Sequence, residues 1–289
     1  MLLVEIMKKK KKIGYVNINE KLLQNISESF PNIIFYNIRK SKHKIYDIVL
    51  HNDLIDAEEK ALYEIFNTYL VNVDNSSYKN IIDQINTGLR RDRCLSSDQI
   101  MYINVVNKFQ YINEKIEKLV GDEKSHSLKV AYLAKVFCDK TGMSEERKLQ
   151  LYMAGLMHDI GKMYIDPKIL CKKGKLTEEE YDEVKIHPIK SYEILKGYLP
   201  EGVLLLIRDH HKRENNSGYP MNEEASSEWG KILGLFDSYD AMISKRIYNK
   251  PLTKSDGINE LLLCTKEVSD GGKGVLFNPY LTELFIKTL

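Results

Sequence analysis

Five of the seven histidines in this chain of 289 residues fall between positions 126 and 211: His126, His158, His187, His210 and His211. Two of them are adjacent, and another is followed at once by a carboxylate, as His158-Asp159. Each lies beside apolar, helix-patterned sequence. A lone histidine on such a face is usually a satisfied core residue; five in one stretch, with two adjacent pairings, point to ligation. Neutral imidazole and carboxylate are the usual ligands of first-row divalent cations. Neighbouring residues on a helix point about 100° apart, so a His-Asp pair faces one site only where that site is wide or holds more than one ion. Five imidazoles and two carboxylates exceed one tetrahedral site, and two cations is the economical reading.

Helices must present these groups. From residue 121 to the end the apolar pattern is helical throughout. Val130, Leu133, Ala134 and Phe137 line one helix; His126, four residues before Val130, shares its inward face. Leu149, Tyr152, Met153 and Leu156 line the next. Thr177 followed by Glu180 is a capping box that starts a helix at Glu178, with Val184 and His187 three apart on its inner side. Pro188 then kinks or ends it. No hairpin signal interrupts the pattern, so residues 121–289 are expected to form an all-α helix bundle.

Residues 76–120 read as a connecting helix with an interruption at Gly88. Ile103, Val106, Phe109, Ile112, Ile116 and Leu119 recur at three- and four-residue steps and form one apolar stripe. The stripe serves equally as a homodimer seam or as a face that docks on the following domain. Residues 1–75 alternate short apolar runs with amphipathic stretches: strands at Ile13–Ile18, Asn32–Ile38, Tyr46–Leu50 and Thr68–Val73, helices at Glu20–Phe30 and Ala57–Phe66. That order predicts a small α/β unit with a parallel sheet.

The net charge of +2 supplies no field for DNA, RNA or an anionic membrane. The run Lys8–Lys12 reads as a solvated tail. Cys94, Cys138, Cys171 and Cys264 form no CxxC pair, which argues against a zinc ribbon or a secreted disulfide framework and for reduced thiols in a cytoplasm. No stretch approaches the roughly 20 apolar residues of a membrane helix, and the expectation is a soluble cytoplasmic protein.

Gly155-Leu156-Met157-His158-Asp159-Ile160-Gly161-Lys162 is similar to the HD motif of the HD superfamily. An ordered set resembles the HD-GYP subclass: His126-Ser127, Ile165-Asp166-Pro167, Lys173-Gly174, His187-Pro188, His210-His211, Gly218-Tyr219-Pro220, and Asp237-Ser238-Tyr239-Asp240-Ala241-Met242 with Arg246 and Tyr248. The resemblance spans roughly residues 115–289. It implies that His126, His158, Asp159 and Asp237 hold one divalent metal, and that a bridging Asp159 with His187, His210 and His211 holds a second. It also offers a third ion a ligand one turn before the first histidine, Asp122, with Glu123 as the nearby alternative. The implied reaction is hydrolysis of the cyclic dinucleotide cyclic di-GMP to pGpG or GMP. Numerous ligands offering only nitrogen and oxygen favour iron or manganese over zinc. Asp159 and Lys162 would act at the phosphate, Lys162 lying one turn past the His-Asp pair. Arg246 could clamp another phosphate, Tyr219 could offer its ring to a base, and Asp240 could steady a ligand or Lys162.

Two readings stay beside this one: a metal-bound signalling scaffold with weak or no turnover, and a phosphohydrolase for another nucleotide. They arise because Lys212 stands where the family carries Glu, and Asn215-Asn216 where it carries Asp-Gly. The first 75 residues resemble a response-regulator receiver domain, with Asn52 at the place of the phospho-accepting Asp and Asp53 next door. A receiver-like pseudo-domain of this kind, like the Gly-Tyr-Pro loop, would serve contacts with signalling proteins.

Overall fold

The computed structural model describes residues 13–16, 18–31, 33–37, 46–52, 55–74, 76–90, 95–121, 126–221, 227–244 and 250–289. The chain divides into two compact units, Met1–Lys108 and Phe109–Leu289.

In the first unit β1 (Ile13–Val16), α1 (Glu20–Ser29), β2 (Phe35–Asn37), β3 (Ile48–His51), α2 (Ala57–Ile65), β4 (Tyr69–Asn72) and α3 (Tyr78–Arg90) follow one another. The strands form one parallel sheet in the order β2-β1-β3-β4, the order that opens flavodoxin-like doubly wound sheets. Period-two alternation sorts the strands' side chains onto two faces. Ile13, Ile48, Leu50 and Val71 meet Ile26 of α1 and Ile81 and Ile85 of α3, while Val16 and Val49 meet Tyr46 and Tyr63 on the other face. Asn19 caps α1 by accepting the Lys21 N–H, and Asp56 caps α2 by accepting that of Glu59. The α/β expectation is met. Asn52 follows β3 directly, and Asp53 lies outside the described residues.

The segment expected as a connector is divided differently. Helix α3 runs through Gly88 and completes the sheet's core instead of leading away from it. The following helix, α4 (Ser97–Leu119), crosses the division between the units at Lys108. Of the predicted stripe, Val106, Phe109 and Ile116 are buried within the chain itself, which accounts for the periodicity without a partner copy. The buried face is rotated from the one expected: Leu119 is exposed, and the polar residues Gln110, Asn113 and Glu117 are buried.

The second unit is helical: α5 (His126–Thr141), α6 (Glu145–Met157), a 3-10 turn (Ile160–Tyr164), α7 (Pro167–Leu170), α8 (Glu178–Lys185), α9 (His187–Leu195), α10 (Glu201–Asp209), α11 (Glu228–Ile243), α12 (Lys254–Leu263) and α13 (Pro279–Ile286). The capping box at Thr177 and Glu180 starts α8 as expected. Pro188 sits in the first turn of α9, where its missing N–H costs nothing, so His187 opens a new helix instead of closing α8. Phe137, Phe236 and Phe285 form the aromatic centre, with ring centroids 4.9–6.5 Å apart. Helix α6 is buried on every side from Leu151 to Met157, so its C-terminal end delivers the next two residues, His158 and Asp159, to the interior.

Among the described residues no helix is long and apolar enough to cross a membrane, and Cys138, Cys171 and Cys264 are free thiols.

Gly161 sets how closely α9 approaches the turn after α6. A Cβ there would overlap the His187 carbonyl oxygen and lie 2.6 Å from the Ser191 nitrogen. Both are backbone atoms that cannot swing aside. Gly161→Ala is therefore expected to destabilise the chain by about 1–3 kcal/mol, as overpacking does. A denaturant midpoint equal to wild type would contradict this packing.

Candidate metal centre

Three helices end in the same way. His158, His187 and His210 each lie just beyond the last turn of α6, α8 and α10, and each brings Nδ1 to the carbonyl three residues earlier: Gly155 at 2.8 Å, Val184 at 2.8 Å and Ile207 at 2.6 Å. A carbonyl oxygen only accepts, so Nδ1 carries the proton and donates. Each Nε2 is then a lone-pair donor to whatever lies inside. Helix ends leave their last carbonyls unpaired and carry partial negative charge. Capping by imidazole answers the first property, and the convergence of three such ends favours a cation between them.

The rings do converge. His187 Nε2 and His210 Nε2 are 3.4 Å apart, and the ring centroids of His158 and His210 are 5.0 Å apart. Asp159 stands between two groups: one oxygen is 3.3 Å from His187 Nε2, the other 3.4 Å from His158 Nε2. His126, the first residue of α5, meets Asp237 Oδ1 through Nε2 at 2.9 Å and Asp240 Oδ2 through Nδ1 at 2.6 Å. Three sets of ligating atoms each lie within 4.8 Å of one another: His187, His210 and His211; His126, His158 and Asp159; His158, His210 and Asp237. His158 Nε2 and Asp159 Oδ1 are buried without a hydrogen-bond partner. Leaving such groups unpaired costs about 1–3 kcal/mol each, and a divalent cation would satisfy both, so the donor set fits one.

The electrostatics suit ligation. Burial pushes the imidazoles of His158, His187, His210 and His211 below their ordinary value, His187 to about 4. Burial pushes the Asp159 carboxyl up, but the Lys162 ammonium and the neighbouring imidazoles outweigh it and hold that carboxyl well below the usual range. For Asp237, burial is likewise outweighed by the hydrogen bond from His126. Neutral rings and ionised carboxylates are the forms that bind metal.

Further residues hold these in place. The Ser191 hydroxyl, on α9, accepts the Gly161 N–H at 2.8 Å and donates to the His158 carbonyl at 2.6 Å, tying α9 to the His-Asp turn. Gly234 has no room for a Cβ because the His210 carbonyl oxygen lies against it. That contact presses α11 onto the end of α10 and brings Asp237, one turn on, into the cluster. Asp240, a further turn on, steadies a ligand, as one of its two expected roles had it. Lys162 Nζ is 2.5 Å from Asp159 Oδ2.

Tyr219 occupies a different place from the one expected. Its ring stacks on His211, centroids 4.4 Å apart and 26° between planes, and borders Tyr181. With one face spent on His211 and burial pushing its hydroxyl up, it braces a ligand instead of presenting an open ring to a base. Asp122, Glu123, Arg246 and Tyr248 lie outside the described residues. Neither departure disturbs the cluster. Lys212 reaches Asp209, 3.5 Å away, on the far side of the helix end from the imidazoles it follows. Asn215 accepts the Ser217 N–H at 3.1 Å, as an Asp would, and Asn216 adopts the left-handed conformation (φ 58°) natural to Gly. Sequence reasoning did not select Ser191, nor Asn113 and Glu117 on α4, which border the cluster's open side; polar residues on a helix face otherwise apolar were the available signal.

Residues 109–270 match the family model described as HD domain. The chain belongs to the HD domain family. Relatives of this HD domain chain include the cyclic di-GMP phosphodiesterase response regulator RpfG of Xanthomonas campestris pv. campestris, 28% identical over 210 residues, covering 68% of this chain and 53% of that protein. A cyclic di-GMP phosphodiesterase of Thermotoga maritima is 32% identical over 168 residues, 56% of this chain and 43% of that one. The 3'3'-cGAMP-specific phosphodiesterase 1 of Vibrio cholerae is 32% identical over 149 residues, 50% and 34% of the two. The chain thus spans about half or less of the length of these relatives.

The depressed imidazoles make a stability prediction for the metal-free chain. The folded His187 ring titrates at about 4 against an ordinary 6.5, so the unfolded ring takes a proton that the folded one refuses. Stability is full above pH 6.5 and drains as pH falls towards about 4. The melting temperature of chelator-treated protein should fall through that window, and less steeply in His187→Gln. Identical pH profiles for the two would sink the assignment.

Proposed function

We propose that this chain is a metal-dependent phosphodiesterase that hydrolyses cyclic di-GMP to pGpG or GMP. The observation that carries the reading is the convergence of five imidazoles with Asp159 and Asp237, with Asp159 turning one oxygen towards His187 and the other towards His158. In this reading His126, His158, Asp159 and Asp237 hold one cation, and Asp159, His187, His210 and His211 the other. Iron or manganese suits so many nitrogen and oxygen donors better than zinc. Two such ions, when bound, supply Lewis acidity towards phosphoryl oxygens and lower the pKa of water. Asp122 would add a third ion's ligand.

The chain's own groups do the rest. Asp159 spans the two ligand groups and fixes their spacing. Lys162, beside Asp159 and on the wall of the adjoining cavity, places an ammonium where a phosphate oxygen gains charge. Asp240 holds the His126 proton at Nδ1, so that Nε2 stays available. The names borne by the relatives support the substrate class. The scaffold alternative drew on Lys212 and Asn215-Asn216; a lysine paired with Asp209 and a preserved turn remove that reason. We read the N-terminal unit as receiver-like and used for protein contacts, supported by its strand order and by Asn52, whose amide cannot accept a phosphoryl group. A cytoplasmic setting is supported by the free thiols.

Loaded with Mn²⁺ or Fe²⁺, the chain is expected to convert cyclic di-GMP to linear product. A His158→Ala/Asp159→Ala double variant should give none, and Lys162→Met should lower kcat about 100-fold, as loss of a transition-state donor does. Metal analysis of protein purified without oxygen should find roughly two ions per chain. Stoichiometric metal with no turnover of cyclic di-GMP would overturn the reading.

A further inference from the structure

Beside the cluster opens a cavity of about 410 Å³, within the size range of small-ligand sites. Its two ends differ in chemistry. His126, Asp159 and Lys162 form one end; the walls beyond are apolar, from Ile116 and Val120 on α4 to Ile169, Leu170, Leu176 and Val184. Cations and charged side chains suit a phosphate. An apolar slot next to them suits the flat faces of a heterocyclic base.

The polar groups on the α4 side are specific in kind. Asn113 is 2% exposed, and its Nδ2 donates to the Leu156 carbonyl. Since a carbonyl only accepts, this contact assigns the amide's orientation, and the other end, Oδ1, is an acceptor with no partner. Glu117, four residues on and on the same helix face, also lines the cavity and accepts the Ser127 N–H at 2.7 Å through Oε1. Ser127 lines it too, and its buried Oγ has no partner. A buried acceptor without a donor needs a reason. Asn113 is too well anchored to Leu156 to turn away, so the missing donor must come from outside the chain.

We propose that this cavity is the base pocket of the site, and that Asn113 and Glu117 select guanine over adenine. Guanine offers two adjacent donors, N1–H and the N2 amino group, to a wall of two acceptors. Adenine offers one donor beside the N1 acceptor, which would face an oxygen. The inference rests on the phosphodiesterase reading for its substrate but concerns different residues and a different readout. Sites that hydrogen-bond a ligand group strongly reject analogues lacking it, and one good pair discriminates roughly 10- to 100-fold.

The test compares the Mn²⁺-loaded full chain with Asn113→Ala and Glu117→Gln. The Gln variant can still accept the Ser127 N–H through its oxygen while turning a donor to the cavity, so it guards against a mere folding defect. Initial rates on cyclic di-GMP and cyclic di-AMP are each normalised to bis(p-nitrophenyl) phosphate, which has no base. Wild type should prefer cyclic di-GMP at least roughly tenfold; both variants should collapse that ratio, and Glu117→Gln should move it towards adenine. An unchanged ratio in both variants overturns the proposal while leaving the phosphodiesterase reading intact. If neither cyclic dinucleotide is turned over, that reading fails, and calorimetric binding of GMP and AMP decides the pocket separately. A GMP preference lost in Glu117→Gln upholds it, and equal affinities in wild type overturn it.

Discussion

A buried imidazole must satisfy two nitrogens, and in this chain one of them is consistently given to a helix end. His158, His187 and His210 donate Nδ1–H to the carbonyl three residues back, which removes an unpaired carbonyl and fixes the tautomer in one step. The consequence reaches beyond each helix. With Nδ1 committed, every Nε2 is aimed away from its own backbone, and where three helix ends meet the lone pairs meet also. The negative ends of the three helices add a field that disfavours protonated rings less than burial does, yet welcomes a metal cation. His126 reaches the same condition by another route, with Asp240 taking the part that a carbonyl plays elsewhere.

Such an arrangement is costly unless the backbones come close. Rings of five histidines cannot share a small volume if the helices bearing them stand at ordinary separation, and at two contacts the sequence removes the Cβ that would hold them apart. Gly161 admits the His187 carbonyl, and Gly234 admits that of His210. Ser191 then replaces bulk with bonds, linking the His-Asp turn to α9 through Gly161 and His158. The all-round burial of α6 beyond Leu151 fixes where this happens, because an element hydrophobic on all sides must run through the core.

The ligands were legible because histidine and aspartate are rare in buried helical sequence, and their adjacency survives folding. The four strands were legible because β-branched runs alternate with amphipathic helices. Other features were hidden for physical reasons. Helix α3 reads as a connector until Ile81 and Ile85 are seen against the sheet, since periodicity shows that a face is buried but not what covers it. On α4 the same method chose Ile112 and Leu119 for the inner face and passed over Asn113 and Glu117. Polar residues count against burial in any hydrophobic pattern, and a helix that lines a cavity is the place where that rule inverts. Tyr219 followed suit: its type fits a base-stacking role, and only the 4.4 Å separation from His211 shows the face already used.

Lys212 makes the most instructive case for reading charge in three dimensions. In sequence it is a cation directly after two ligand histidines, and repulsion of a metal is the natural inference. On the folded chain the residue leaves the turn beside Asp209, a wholly buried carboxylate that also takes the Arg208 guanidinium at 2.8 Å and the Ser227 N–H at 2.9 Å. A buried carboxylate demands paired cations and donors, so the lysine answers a need on its own side of the helix end. Coulomb interaction is shortened by a neutralising partner: an ammonium within 3.5 Å of its counter-ion presents a dipole, not a charge, to anything farther away. A reversal that looks damaging beside the ligands is therefore absorbed one turn back, and the two imidazoles keep the geometry that their own backbone bonds impose.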